Sequence, residues 1–272
     1  MHDFFSAIIL GAVQGLTEFW PISSSGHLII AHDLLNFGFV DNLTFDVALH
    51  MGTLLALVVY FWRDLARYIV AFFRSLANWN LKNDHDQRMA WYIILASIPA
   101  GVGGFLLESW ADTVFRNLWL VAILMILVGL VFLIVEKKSR QSKDLSQATW
   151  KTALWIGLSQ VIALLPGTSR SGITTITGMT QGLKRSESAR FSFLLSIPVI
   201  FGAGLLKLYD ATKENLTSHD WLLILSGIIS AALVGYIAIR FLLKFFQTHS
   251  LNAFAYYRFA VGGAIIIYLL AR

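Results

Sequence analysis

A short segment near the N-terminus, EFWPISSSGHL at 18–28, concentrates residues that could do chemistry in a strongly apolar chain. Gln14 stands four residues before Glu18, a spacing that places both side chains on one face of a helix. Pro21 predicts the end of that helix, because its ring clashes with the preceding turn. A carboxylate and an amide oxygen side by side are ligands suited to Mg²⁺ or Ca²⁺.

Three serines and a histidine follow the proline, where the next helix should begin: Ser23, Ser24, Ser25 and His27. One serine could act only as a helix cap, but a cap leaves the other two serines and the histidine unexplained. A serine and a histidine together offer a nucleophile and a base.

A second polar segment, PGTSRSG at 166–172, supplies groups suited to an anion such as phosphate. Arg170 carries five donors in a fixed plane, and the helix start that follows presents unpaired N–H groups. Alternatively, Arg170 pairs with Glu18 to satisfy two buried charges, and such a pair could still open for a ligand. The candidate substrate-binding residues of both segments are Ser23, Ser25, Gly167, Thr168, Ser169, Ser171 and Gly172.

Together, the two segments predict metal-assisted phosphoryl chemistry on a lipid-borne substrate. Transport is the competing hypothesis, because broken helices at the middle of a membrane also form transporter binding sites. A polyprenyl-phosphate transporter or flippase would need the same grip on phosphate, but neither a nucleophile nor a metal. A purely structural scaffold would leave the buried polar residues unexplained.

The composition identifies the surroundings of these residues as a membrane. Of 272 residues, 57% are hydrophobic and 14% are charged, and the mean hydropathy is +0.67, whereas an ordinary soluble domain is about a quarter charged. We therefore predict an all-α polytopic membrane protein that forms a single domain over 1–272. Its six predicted transmembrane helices, each about as long as the 17–25 residues that cross a bilayer, are 45–62, 91–108, 117–135, 191–208, 221–240 and 253–271.

Other features of the composition exclude several classes of function. Cysteine is absent, which excludes disulfides and thiolate metal sites. The first fourteen residues lack the basic region and cleavage site of a removable signal peptide. We attribute the net charge of +5 to basic loops and expect no nucleic-acid binding, because no basic face carries the interleaved aromatic residues that such binding uses.

Two more apolar stretches, 4–20 and 153–165, are each interrupted by a polar segment and then resume. This pattern predicts two re-entrant helical hairpins, since irregular backbone at membrane depth must be buried in protein or line a wet cavity. The hairpins match each other at an offset of 146 residues. The matched pairs are Gly11 and Gly157, Gln14 and Gln160, Ser23 and Ser169, Ser25 and Ser171, Gly26 and Gly172, and Phe45 and Phe191.

The distribution of basic residues predicts that the two halves of this repeat are inverted. Fifteen of the 21 Lys and Arg residues fall in four segments that share one face if each hairpin enters and leaves on one side. These segments are 63–90, 136–151, 183–190 and 240–252. The positive-inside rule makes this face cytoplasmic, so the hairpins enter from opposite sides and both termini lie outside. The inverted-repeat halves are then about 1–135 and 150–272, joined by a cytoplasmic basic loop at 136–149.

Three polar residues elsewhere in the spans have a less specific pattern. Asp46 and His50 share a helix face in the first span, and Arg258 lies inside the last. For each of them we favour structural pairing, with a supporting role in the cavity as the alternative.

The two polar segments, QGLTEFWPISSSGH (14–27) and LPGTSRSG (165–172), resemble the signatures of bacterial undecaprenyl-diphosphate phosphatases, the bacitracin-resistance (UppP/BacA) family. The resemblance continues through FDVALHMGTLLA (45–56), FSFLLSIP (191–198) and YRFAVGG (257–263). It therefore covers essentially the whole chain in order.

This resemblance implies a membrane enzyme with six spans and two opposed re-entrant hairpins. Such enzymes hydrolyse undecaprenyl diphosphate to undecaprenyl phosphate and inorganic phosphate, which recycles the lipid carrier for peptidoglycan and other envelope polymers. The resemblance further implies a cytoplasmic (inner) membrane location, a site that faces the periplasm or outside, and a divalent cation. It also implies bacitracin resistance, because bacitracin competes for the same substrate. A homodimer is left open.

Carried over by motif, the resemblance makes Glu18, Ser24, His27 and Arg170 the essential residues. Gln14 departs from the family, whose first motif often begins with Glu, and a neutral amide is a poorer metal ligand. The predicted mechanism has Ser24 attack the terminal phosphorus while His27 manages the proton and Glu18, with Gln14, holds Mg²⁺ or Ca²⁺. Direct attack by water, with His27 as base or nucleophile, is the alternative.

Overall fold

The computed structural model describes residues 2–35, 37, 42–114, 117–211 and 216–271, and the described chain forms eleven α-helices. Their bounds are α1 (His2–Phe19), α2 (Ser24–Leu35), α3 (Asn42–Tyr60), α4 (Trp62–Ala77), α5 (His85–Val114), α6 (Leu118–Lys138), α7 (Trp150–Ile162), α8 (Arg170–Thr180), α9 (Arg185–Ala211), α10 (Ser218–Thr248) and α11 (Asn252–Ala271).

The long apolar helices confirm the predicted all-α polytopic membrane protein. Five helices, α5, α6, α9, α10 and α11, are each long and apolar enough to span a membrane. The consecutive helices α3 and α4 satisfy the same test only together, and they are bent by 80° relative to each other. The six predicted spans thus correspond to α3 and these five helices.

Helix α4 was not predicted, because the sequence analysis treated residues 63–90 as a basic loop. Its exposed apolar residues recur with the period of a helix and are Ile69, Val70, Phe73 and Leu76. Tyr68 and Ala71 on the other face are buried. An apolar stripe flanked by arginines is typical of a helix that lies in the membrane interface. The basic residues of 63–90 favour a loop, whereas the spacing of the apolar residues in α4 is helical.

The breaks between α1 and α2 and between α7 and α8 lie where the two polar segments predict them. They also share one local geometry. Ser23 and Ser169 both have positive φ, 74° and 71°, a conformation uncommon for residues other than glycine. The Oγ of each accepts the N–H three residues later, from Gly26 at 3.5 Å and from Gly172 at 3.2 Å. The matched serines therefore have the same conformation and the same hydrogen bond.

The matched glycines repeat one packing contact. Gly11 places α1 directly on α10, where a Cβ would clash with the carbonyl oxygen of Gly227. Gly157 places α7 on α5, where a Cβ would lie 2.5 Å from the carbonyl oxygen of Ala96. Small residues allow such close approach between membrane helices. Each glycine therefore seats the first helix of its pair against a long span.

The four basic segments meet on one face of the protein. Glu136 pairs with Arg185 and accepts a hydrogen bond from the N–H of Leu251 at 3.1 Å. These contacts join the ends of α6, α9 and α10–α11. Arg190 reaches Asp64 at 2.6 Å and so connects α4 to the same face.

Candidate active site

A cavity of about 290 Å³ lies where the two helix breaks meet. One part of its wall is polar and comes from both breaks, and the other part is apolar and comes mainly from α3 and α9. The lining residues are Glu18, Ser23, Ser24, Ser25, Val47, His50, Ala163, Ser169, Arg170, Val199, Ile200, Ala203 and Gly204.

The Glu18 carboxylate is the centre of the polar wall, and only 6% of its side chain is exposed. Its Oε1 accepts a 2.5 Å hydrogen bond from Nη2 of Arg170, which joins the two breaks. Its Oε2 accepts from Ser24 Oγ at 2.7 Å and from Gln14 Nε2 at 3.1 Å. The structure therefore brings together four of the predicted site residues, and the Glu18–Arg170 pair given as the alternative role of Arg170 is present.

Arg170 retains an unused donor in this site. It is the first residue of α8, and its buried Nη1 has no hydrogen-bond partner. A buried guanidinium nitrogen without a partner is costly. The positive dipole end of the same helix start also favours an anion. These groups are suited to receive phosphate oxygens.

His27 lies outside the cavity lining, and both of its ring nitrogens are engaged. Nδ1 donates to the Ser23 carbonyl at 2.7 Å, and Nε2 is 2.7 Å from the hydroxyl of Tyr257, whose ring stacks on the imidazole. Because a carbonyl can only accept, Nδ1 carries the proton and Nε2 of the neutral ring accepts from the tyrosine. Among the described residues, Ser24 and His27 share no hydrogen bond, although one was expected. Ser24 donates to Glu18 instead.

His50 is the histidine among the described lining residues, so the structure places it in the cavity, the alternative to the favoured structural pairing. Its Nδ1 donates to the carbonyl of Asp46 at 2.7 Å, and its Nε2 lies 3.6 Å from Glu18 Oε2. The side chain of Asp46 pairs with His32 at 2.7 Å and not with His50. A histidine inside the apolar span of α3 was the only sequence feature that could have indicated a functional role for His50. Nothing in the sequence placed α3 beside Glu18.

The predicted substrate-binding residues separate into two groups. Ser23, Ser25 and Ser169 line the cavity, whereas the other four do not. Two of these four connect the breaks: the Gly167 N–H donates to Ser23 Oγ at 3.1 Å, and Ser171 Oγ donates to the Trp20 carbonyl at 3.3 Å. The other two are packed in the interior, where Gly172 lies against Phe132 and Thr168 is fully buried.

Arg258 joins both breaks from α11 and is fully buried. It donates to the carbonyls of Pro21 at 3.2 Å and Gly167 at 2.6 Å, two residues separated by the same offset of 146. It also donates to the α6 carbonyls of Leu124 and Met125. The favoured structural pairing thus takes the form of hydrogen bonds to four backbone carbonyls.

The donor set around Glu18 fits a cation that shares its coordination with a ligand. Gln14 Oε1 is buried and has no hydrogen-bond partner, which leaves one amide oxygen free beside a carboxylate. The described residues contain no group of three or more His, Asp or Glu side chains placed to hold a metal. Mg²⁺ is commonly held by one or two carboxylates together with substrate phosphates, so this small set is sufficient for such an ion.

Comparison with known proteins identifies relatives over the full length of the chain. Residues 7–264 match the family model of "Bacitracin resistance protein BacA". The chain is 45% identical to an undecaprenyl-diphosphatase of Rubrobacter xylanophilus over 99% of its own length and 100% of the relative. It is 43% identical to that of Thermodesulfovibrio yellowstonii, over 99% and 98%, and 42% identical to that of Pelotomaculum thermopropionicum, over 98% and 97%.

Proposed function

The chain belongs to the BacA family and dephosphorylates undecaprenyl diphosphate as its curated relatives do; we propose that the cavity between the two helix breaks is where this hydrolysis takes place. The observation that carries the proposal is the buried Arg170 at the cavity wall, with one nitrogen on Glu18 and one nitrogen unpaired. A diphosphate oxygen would satisfy that free nitrogen.

Arg170 and the start of α8 hold the diphosphate in this account. Phosphoryl transfer depends mainly on positioning and on stabilising charge on the transferring oxygens. Arg170 supplies a cation in a site shielded from water, where such a charge is effective. The hydroxyls of Ser25 and Ser169, which line the same cavity, complete the contacts.

Ser24 is the nucleophile in the proposed mechanism. Its Oγ bonds to the terminal phosphorus as the bridging P–O bond to undecaprenyl phosphate breaks. The hydroxyl proton of Ser24 passes to Glu18, which already accepts a 2.7 Å hydrogen bond from that hydroxyl. Water then attacks the phosphoserine, inorganic phosphate leaves, and the proton returns to Ser24. This route replaces His27 with Glu18 as the proton acceptor. The alternative is direct attack by water, with His27 as base or nucleophile.

Replacing Ser24 with alanine separates these two routes. The covalent route predicts a loss of at least about 10³ in kcat, because no other group replaces the nucleophile. Phosphate release and trapping of a phosphoserine from labelled substrate are the measurements. The matched control is Ser25→Ala, which removes a hydroxyl from the same wall and should lower kcat/KM by less than about tenfold. Near-normal turnover by Ser24→Ala would contradict the covalent serine route.

Glu18 and Gln14 are the proposed ligands of a divalent cation, Mg²⁺ or Ca²⁺. When bound, such an ion neutralises charge on the phosphate oxygens. Gln14 contributes an amide oxygen, which is a weaker ligand than a second carboxylate, and so we expect the affinity to depend on the diphosphate. The apolar wall formed by Val47, Val199 and Ile200 would accept the first isoprene units of the lipid.

The proposed location is the bacterial cytoplasmic (inner) membrane, with the cavity open to the periplasm and both termini outside. Bacitracin would then compete for the same diphosphate on the outer face. The orientation is supported by the basic segments that meet on one face, among them the loop between α4 and α5. A cysteine introduced at Asn83 in this loop should react with a membrane-impermeant maleimide only after the membrane is opened. Labelling of intact cells would contradict the orientation.

A further inference from the structure

His50 is positioned in the same way as histidines that bind metals. Its Nδ1–H donates to the Asp46 carbonyl at 2.7 Å, which leaves Nε2 as the acceptor when the ring is neutral. A metal-bound histidine commonly donates its other ring N–H to a carbonyl in this manner, which fixes the tautomer and the ring orientation. Nε2 of His50 lies at the cavity, and its described polar neighbour there is Glu18 Oε2 at 3.6 Å.

The separation of these two atoms is close to that of ligands sharing one ion. Two donor atoms held about 2.1 Å from a single ion lie roughly 3.0–3.5 Å apart at right or tetrahedral angles. A neutral Nε2 and a carboxylate oxygen otherwise repel, since neither carries a proton to donate. A cation between them would turn this repulsion into attraction.

Gln14 provides the third donor. Its Nε2 is 3.1 Å from Glu18 Oε2, and its Oε1 is buried without a partner. A half-turn of the amide exchanges the two atoms and would bring Oε1 beside the same carboxylate oxygen. The amide oxygen of Gln14 and the imidazole nitrogen of His50 would then both be neighbours of the same Glu18 carboxylate oxygen.

We propose that His50 Nε2 is a third protein ligand of the cation, beside Glu18 and Gln14, and that it strengthens the binding of an ion that accepts nitrogen, such as Mn²⁺, more than the binding of Mg²⁺ or Ca²⁺. The inference rests on the proposed cation of the hydrolysis site and adds a ligand to it. Imidazole is a ligand for transition metals, whereas Mg²⁺ and Ca²⁺ prefer oxygen. Replacing His50 with glutamine therefore lowers Mn²⁺ affinity more than Mg²⁺ affinity.

Electron paramagnetic resonance of Mn²⁺ bound to the full-length protein in detergent tests this directly. Substoichiometric Mn²⁺ should show electron spin-echo modulation from histidine ¹⁴N, which becomes ¹⁵N modulation when the protein contains ¹⁵N-histidine. His50→Gln should abolish the modulation and lower Mn²⁺ affinity by at least about tenfold, while Mg²⁺ affinity stays within about twofold. The wild-type labelling experiment stands even if the variant does not fold.

His27→Gln is the matched control. His27 has the same Nδ1–carbonyl hydrogen bond, but its Nε2 is occupied by the Tyr257 hydroxyl, so this variant should retain the nitrogen signal. Absence of the signal in wild type, its persistence in His50→Gln or its loss in His27→Gln would each overturn the assignment. Phosphate release by the same wild-type preparation separates the two proposals. Release without a nitrogen signal refutes only the His50 ligand, and a nitrogen signal without release refutes only the hydrolysis site.

Discussion

Replacement of Arg170 with lysine should lower kcat/KM for undecaprenyl diphosphate by about 10²–10³, the range for loss of one charge-stabilising donor in a catalytic site. Lysine keeps the positive charge but is a point charge on a flexible stem and lacks the planar fork. It cannot donate to Glu18 Oε1 and also offer a second nitrogen to phosphate, as Arg170 does with Nη2 and Nη1. Steady-state phosphate release, normalised to folded protein, measures the effect.

Arg63→Lys is the control for this substitution. Arg63 is exposed on α4 beside the ring of Trp62 and lies outside the cavity lining, so the same change there should leave kcat/KM within about twofold. If Arg170→Lys kept more than half of the wild-type kcat/KM, the fork geometry of Arg170 would not matter, and the proposed grip on the diphosphate would be wrong.

Replacement of Arg258 with lysine should destabilise the protein and disorganise the site together. Two of the carbonyls that Arg258 satisfies, those of Pro21 and Gly167, belong to the breaks. Each buried carbonyl left without a donor costs about 1–3 kcal/mol, so loss of both costs roughly 2–6 kcal/mol. A lysine ammonium has three donors at one point and cannot reach all four carbonyls at once.

Unfolding of the detergent-solubilised variant by denaturant measures this loss, with Arg240→Lys as the control. Arg240 is an exposed arginine on α10, and its replacement should change the free energy of unfolding by less than about 0.5 kcal/mol. Kinetics on the folded fraction should show a lower kcat. Arg258→Lys with wild-type stability and kcat would exclude Arg258 as the residue that fixes the two breaks relative to each other.

Local sequence features were sufficient to predict the spanning helices and the two breaks. Apolar stretches long enough to cross a bilayer gave the spans, and Pro21 and the PGTSRSG segment gave the ends of α1 and α7. The repeat was recognisable because Ser23 and Ser169 need the same backbone conformation and make the same hydrogen bond. The Glu18–Arg170 pair followed from the cost of burying either charge alone.

Features that depend on tertiary packing could not be predicted from local patterns. His50 reaches Glu18 because α3 packs on α1, and no periodicity specifies that contact. His27 was expected beside Ser24, three residues away, but its ring turns to Tyr257, 230 residues later in the chain. Ser171 and the backbone of Gly167 in PGTSRSG connect the two breaks and do not line the cavity, a distinction that residue type alone does not reveal.

Phosphate release from undecaprenyl diphosphate, measured on purified protein with and without a chelator and beside Glu18→Gln, tests the central claim most directly. Glutamine keeps the shape of Glu18 but removes the negative charge and leaves one accepting oxygen in place of the two that receive Arg170, Ser24 and Gln14. The account predicts release that the chelator suppresses and that Glu18→Gln lowers by at least about 10³. Near wild-type release by folded Glu18→Gln would show that hydrolysis does not take place at the junction of the two breaks.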